Sequence, residues 1–179
     1  MCICNYIFVY ADIGLHSTVI VDKLSVIMTE PIDIQEIVAC TCLRARRATR
    51  RLTQIFDDAL KPIHLTVNQF GVLSYLYGST LAGNDHLAVG VLADRVGKHP
   101  STLNRDLKPL EALGFVSNVA DPTDRRVRAV QITRKGRNQL RKAVPYWRRA
   151  ETQIRERLGV DSMLALNELL DHATTRLEK

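Results

Sequence analysis

Aromatic residues are scarce, 6% of the chain, so the core has to be built mainly from aliphatic side chains, as in packed helices of Leu, Val and Ala. No stretch of about 18 apolar residues occurs, and no membrane association is expected. The apolar run Tyr6 to Tyr10 lacks a cationic flank and shares its segment with Asp12 and Asp22, unlike an export signal. Only four cysteines are present, Cys2, Cys4, Cys40 and Cys42. Two Cys-x-Cys pairs do not make a disulfide framework, and they point to a reducing, cytoplasmic compartment. Enzyme signatures are missing as well: there is no Gly-x-Ser-x-Gly, no phosphate-cradling Gly-rich loop and no His-Glu-x-x-His, and the five histidines are scattered. Neither a catalytic residue nor a cofactor is expected. Internal repeats and low-complexity segments are also lacking.

What remains is an ordinary globular balance, 46% hydrophobic and 25% charged, over 179 residues. That length suits one folding unit with an extension better than two independent cores. The net charge of +6 is unevenly placed. Between Lys98 and Lys142 eleven cations face four anions, so the rest of the chain is slightly acidic. A positive block of this kind marks either a solvated helical surface or a face that meets a polyanion.

From Ile34 to Leu60 apolar residues recur at helical spacing through Val38, Ala45, Ala48, Leu52, Ile55, Phe56 and Ala59, with Arg44, Arg46, Arg47, Arg50 and Arg51 on the opposite arc. The pattern predicts one long amphipathic helix, ended by Lys61-Pro62. Thr66 is placed to cap a second helix from Val67 to Tyr77, and 78–85 reads as loop. Leu87-Ala88 is a short extended piece before a helix from Gly90 to Val96, stopped by Gly97. Pro100 then stands at a first helical position, and Leu103, Leu107, Leu110 and Leu113 make the buried stripe of the next helix. Weak alternation from Phe115 to Ala120, a turn at Asp121-Pro122-Thr123-Asp124 and renewed alternation from Val127 to Thr133 predict a hairpin. Thr133 caps a long helix to Leu158, and Gly159 separates it from a last helix through Leu177. Pro109 and Pro145 fall inside predicted helices and are expected to kink them without breaking them. The fold class is therefore mainly α with a small β-hairpin.

Two helices joined by a tight glycine turn make a helix-turn-helix, and the basic-tipped hairpin behind them makes a wing. In that arrangement Ser101, Thr102, Asn104 and Arg105 offer hydroxyl, amide and guanidinium groups to base edges, while Lys108 neutralises phosphate. Arg125, Arg126 and Arg128 suit a narrow, electronegative groove. Asp124, which phosphate would repel, is expected to shape the wing turn. Structural alternatives stay open: Ser101 and Thr102 could cap the helix, and Arg105 could pair with Asp106 or Glu111.

Leu92-Ala93-Asp94-Arg95-Val96-Gly97, Ser101-Thr102-Leu103-Asn104-Arg105, Leu110-Glu111-Ala112-Leu113-Gly114-Phe115-Val116 and Asp121-Pro122-Thr123-Asp124-Arg125-Arg126, followed by Val130-Gln131-Ile132-Thr133, closely resemble the MarR family of transcriptional regulators in order and spacing. The resemblance covers 34–177. It implies a homodimer that binds double-stranded DNA at an inverted repeat, usually as a repressor, and that releases it when a small aromatic or phenolic compound binds. It makes Arg126 the wing-tip arginine. The domain reading that follows is 1–32 as an N-terminal extension, 33–62 as the first dimerisation helix, 63–135 as the winged helix-turn-helix and 136–179 as C-terminal dimerisation helices. Met28 stands just before the first convincing helix, so the extension is expected to be a start-site artefact, the alternative being a segment that packs on the dimer. His64 occupies a place where the family often has Gly, and His tolerates a left-handed backbone better than most residues.

Cys42 falls where the peroxide-sensing OhrR branch of that family has its reactive thiol, fourteen residues before Phe56. The assisting tyrosines of that branch are replaced here by Arg46, Phe56 and Phe70. Cys40 lies among the arginines of the helical wheel, and nearby cations lower a thiol pKa. Redox sensing through Cys42 or Cys40 is therefore an alternative to a small-molecule effector. Cys2, Cys4, Cys40 and Cys42 could together hold a soft metal ion, but they lack the two-residue gap of zinc knuckles, and no metal is expected. A winged helix that binds protein instead of DNA is a further alternative, against which the basic excess argues.

Overall fold

The computed structural model describes residues 34–120 and 127–177. The chain divides into two compact units, residues 1–46 and 47–179. Within the described part of the first, helix α1 covers Ile34–Val38 and helix α2 begins at Thr41, running on to Leu60 in the second unit. The single helix expected from Ile34 is thus two, parted at Ala39-Cys40. The local sequence accounts for the break: Ile37, Val38, Thr41 and the two cysteines are all weak helix formers, and all five are exposed.

In the second unit a 3₁₀ turn, Lys61–Ile63, follows α2 and ends on His64 at φ 56°, the one non-glycine residue in the left-handed region among those described. Thr66 and Gln69 form a reciprocal capping box at the start of α3, Val67–Leu81. Helix α3 runs four residues past its expected end at Tyr77. Gly78 does not stop it: the backbone stays helical through Leu81, and the left-handed glycine of this terminus is Gly83.

Strand β1, Leu87–Ala88, leads into α4, Val89–Arg95, and then α5, Pro100–Ala112. Strands β2, Val116–Ala120, and β3, Arg128–Ile132, pair antiparallel from Val116 opposite Ile132 to Ala120 opposite Arg128. β1 adds to the free edge of β3, with Leu87 opposite Val130, so the expected hairpin is a three-stranded sheet of order β1-β3-β2. Two long helices close the chain: α6, Arg134–Leu158, capped by Thr133, and α7, Val160–Leu177, with Gly159 at positive φ between them. Pro109 and Pro145 lie inside α5 and α6, and the chain breaks at neither.

One aliphatic core unites the winged helix. Leu103, Leu107 and Leu110 of α5 are fully buried against Val72, Leu73 and Leu76 of α3, Leu92 of α4 and Val130 of β3. Each leucine so removed from water contributes roughly 1.5–3 kcal/mol, enough together to fix the rotation of α5 about its axis. The outer helices are different. α7 has no buried residue, and Leu164, Leu169, Leu170 and Leu177 remain exposed. No helix among the described residues is long and apolar enough to cross a membrane.

Candidate nucleic-acid interface

The turn between α4 and α5 is held at both ends. Gly97 adopts φ 64°, and the Lys98 backbone N–H reaches the Ala93 carbonyl at 2.9 Å. The Lys98 ammonium then pairs with Asp106 Oδ2 at 2.5 Å, clipping the turn to the second turn of α5. His99 caps α5 through its ring: Nδ1 accepts the Ser101 backbone N–H at 3.3 Å and lies 2.8 Å from the Ser101 hydroxyl. Pro100, next in sequence, has the fixed φ of a first helical residue and no N–H to satisfy.

Burial of Leu103, Leu107 and Leu110 turns the opposite face outward. Ser101, Asn104, Arg105 and Lys108 follow the i, i+3, i+4, i+7 spacing of one helix face; Ser101, Arg105 and Lys108 are exposed, and Asn104 is half-buried. Thr102 is half-buried on the flank. Both structural partners foreseen for Arg105 are engaged elsewhere, Asp106 by Lys98 and Glu111 by Arg128. The Ser101 hydroxyl belongs to the cap as well as to the outer face.

Arg128, at the start of β3, reaches from the wing to this helix. Its Nε donates to Asn118 Oδ1 of β2 at 2.7 Å, one terminal nitrogen donates to Asn104 Oδ1 at 2.6 Å, and the other is ion-paired to Glu111. The sequence singled out Arg128 and Asn104 separately as groups facing DNA, and the fold brings them into contact with each other. It gave no sign of Asn118 and offered Glu111 only as a partner for Arg105; their proximity to Arg128 depends on strand register and on the docking of sheet against helix. Asp124, Arg125 and Arg126 lie outside the described residues. Flanking cations continue the basic surface: Arg134 and Lys135 are exposed at the start of α6, and Lys135 stands over the Phe115 ring at 5.6 Å.

A second feature was not foreseen. Arg51, Ile55 and Asp58 of α2 and Tyr146, Arg149 and Arg157 of α6 line a cleft of about 490 Å³, with the Arg149 guanidinium 5.4 Å from the centre of the Tyr146 ring. Its charge and aromatic wall would suit a small anionic aromatic molecule.

Cys40 and Cys42 are exposed free thiols. The Cys40 thiol is held below its ordinary pKa by the backbone N–H groups of Leu43 and Cys42. The cause is the helix start created by the break at Ala39-Cys40, not the arginines that the helical wheel suggested. Cys2 and Cys4 lie outside the described residues, and among the described ones no group of three or more His, Cys, Asp and Glu side chains could hold a metal.

No family model and no curated protein matches the sequence. Solved structures do. The chain is similar to the transcriptional regulator MosR from M. tuberculosis in complex with DNA, at 31% identity over 76% of this chain and 95% of that one, with a TM-score of 0.66. It is similar to the transcriptional repressor CouR bound to a 23-mer DNA duplex, at 27% identity over 80% and 99% of the two chains, TM-score 0.66. It shares the fold of AbsC, a MarR family transcriptional regulator from Streptomyces coelicolor, at 22% identity over 78% and 93%, TM-score 0.65.

Proposed function

The chain belongs to the MarR family of winged helix-turn-helix transcriptional regulators, and from that premise we propose that it is a homodimeric repressor of double-stranded DNA with an inverted repeat, released by a small aromatic effector. DNA binding as a regulator, not catalysis, is its activity. The observation that carries the reading is the polar stripe Ser101, Asn104, Arg105 and Lys108, held outward by the leucines behind it. A helix of this diameter fits the major groove, where Arg105 meets a base edge and Lys108 a phosphate. Ser101 and Thr102 stand at the N-terminal end that enters the groove first. Arg125 and Arg126 supply the minor-groove contact, Arg126 as the wing-tip arginine that the family resemblance implies, and Asp124, which phosphate would repel, shapes the turn.

Dimerisation is supported by apolar surface that each unit leaves uncovered: Ile34, Ile37, Val38 and Leu43 in the first, Leu164, Leu169, Leu170 and Leu177 in the second. A monomer exposing such helices in water would bury them against a second copy. Two recognition helices would then meet successive major grooves about 10 base pairs apart. The cleft at Arg51, Tyr146 and Arg149 supports an aromatic carboxylate or phenolate as effector. A DNA-binding protein of this kind works in the cytoplasm.

Fluorescence anisotropy with the promoter region beside the gene, a scrambled duplex and a salt series tests the reading. Preferential, salt-sensitive binding weakened by Arg126→Ala is the expected result; no binding at low salt would leave a protein-interaction module instead. One observation favours a second effector chemistry, the lowered Cys40 thiol. Release of DNA by peroxide in the wild type but not in Cys40→Ser, with no response to aromatic acids, would replace the first.

A further inference from the structure

Arg128 and Asn104 are both groups that DNA readers use, yet the fold spends one on the other. The guanidinium meets three acceptors on two elements, Asn118 on β2 and Asn104 and Glu111 on α5. Asn104 and Glu111 are seven residues apart, two turns along one face, so a single planar fork spans the recognition helix and ties it to the turn end of the β2-β3 ladder. Chemistry fixes the orientation of the Asn104 amide. A guanidinium carries five N–H donors and no acceptor, so the amide atom 2.6 Å from it has to be the carbonyl oxygen. What Asn104 then holds out from the outer stripe is its NH₂ group.

An asparagine free to turn reads adenine with both ends of its amide, donating to N7 and accepting from the N6 amino group. Here the accepting end is already in a short, charge-assisted bond, and the amide plane is held by it. We propose that Arg128 is a positioning residue that presents Asn104 to the major groove as a donor, so that Asn104 selects a guanine, whose O6 and N7 both accept, at one position of each half-site. The inference rests on the DNA-binding reading above and deepens it by naming the base and the device that chooses it. It also gives Arg128 a role apart from phosphate: its charge is matched by Glu111, and three of its N–H groups are in use.

The test is competition anisotropy with the full chain, using its own operator duplex and variants carrying each of the four bases at every half-site position. Wild type should prefer guanine over adenine roughly tenfold at one position near the Arg105 contact, and 7-deazaguanine there should weaken binding. Asn104→Ala should level that position and become indifferent to 7-deazaguanine. Arg128→Gln, which frees the amide, should raise adenine to parity there, leave preferences elsewhere unchanged, and leave the salt dependence of binding to random DNA as in wild type. The proposal is overturned if Asn104→Ala keeps every preference, or if Arg128→Gln weakens all sequences equally with a shallower salt dependence, the mark of a phosphate contact. Should Arg128→Gln fail to fold, the Asn104→Ala profile and the 7-deazaguanine comparison decide alone. Wild type that does not distinguish operator from scrambled DNA would sink the regulator reading itself, a separate outcome.

Discussion

Gly136 passes so close to Phe115 that a Cβ on it would stand 2.0 Å from the Phe115 carbonyl oxygen. That carbonyl is fixed from the other side, because it accepts the Thr133 backbone N–H at 3.0 Å, with the Thr133 hydroxyl at 3.2 Å. Thr133 in turn caps α6 by accepting the Gly136 N–H. The junction from the sheet to α6 thus closes on a residue that cannot carry a side chain.

Gly136→Ala is expected to destabilise the chain by about 2–3 kcal/mol despite the better helix propensity of alanine, since backbone would have to shift. Urea unfolding should show the midpoint falling at constant slope. A neutral or stabilising effect would mean that this approach is looser than the geometry gives.

Arg105→Ala should cost about 1–3 kcal/mol of specific DNA binding if the guanidinium meets a base, and leave binding to random DNA nearly unchanged. Lys108→Ala should weaken both equally and reduce the salt slope by about one charge. Anisotropy titrations on operator and scrambled duplex separate the two, and equal losses in Arg105→Ala would make it a phosphate contact.

Leu169 is 66% exposed in the single chain, so Leu169→Glu should leave the fold of the monomer intact. If α7 packs on a second copy, an unpaired carboxylate there would cost on the order of 3 kcal/mol, about two decades in dimer dissociation constant. Light scattering after size exclusion should then find monomer at micromolar concentration. Unchanged dimer would place the interface elsewhere.

The lowered Cys40 thiol should alkylate faster near neutral pH than an ordinary cysteine, with the rate rising at lower pH than for a free thiol. The sign for stability follows from the same shift. A folded pKa below the unfolded one favours the folded state at high pH, and that contribution is lost as pH falls through the folded value. Iodoacetamide kinetics on a chain with Cys2, Cys4 and Cys42 replaced by serine would report it, and a profile like that of free cysteine would refute it.

Much of the winged helix could be read directly. Thr66, Pro100 and Thr133 marked helix starts because capping is a matter of a few adjacent residues, and each is found at its helix terminus. His64 could be read as a left-handed position from the family resemblance, since the family often has Gly there, and its φ is 56°. Gly78 misled, since a glycine ends a helix only where the chain takes a left-handed turn, and here that turn comes five residues later at Gly83. The break at Ala39-Cys40 was hidden because periodicity continues across it; only weak propensity and the lack of burial part the helix there.

By itself the sequence determined the order of helices, the wing and the polar stripe Ser101, Asn104, Arg105 and Lys108, because apolar spacing and caps act within a few residues of one another. Tertiary structure decided what those residues have to work with. Asn118, ten residues before Arg128, meets it through strand register, and Glu111 meets it through the packing of sheet on helix. The Arg51, Tyr146 and Arg149 cleft likewise joins residues nearly a hundred positions apart. Hydrogen bonds and ion pairs have short reach, so pairings between distant parts of a chain exist only once the hydrophobic core has set the distances.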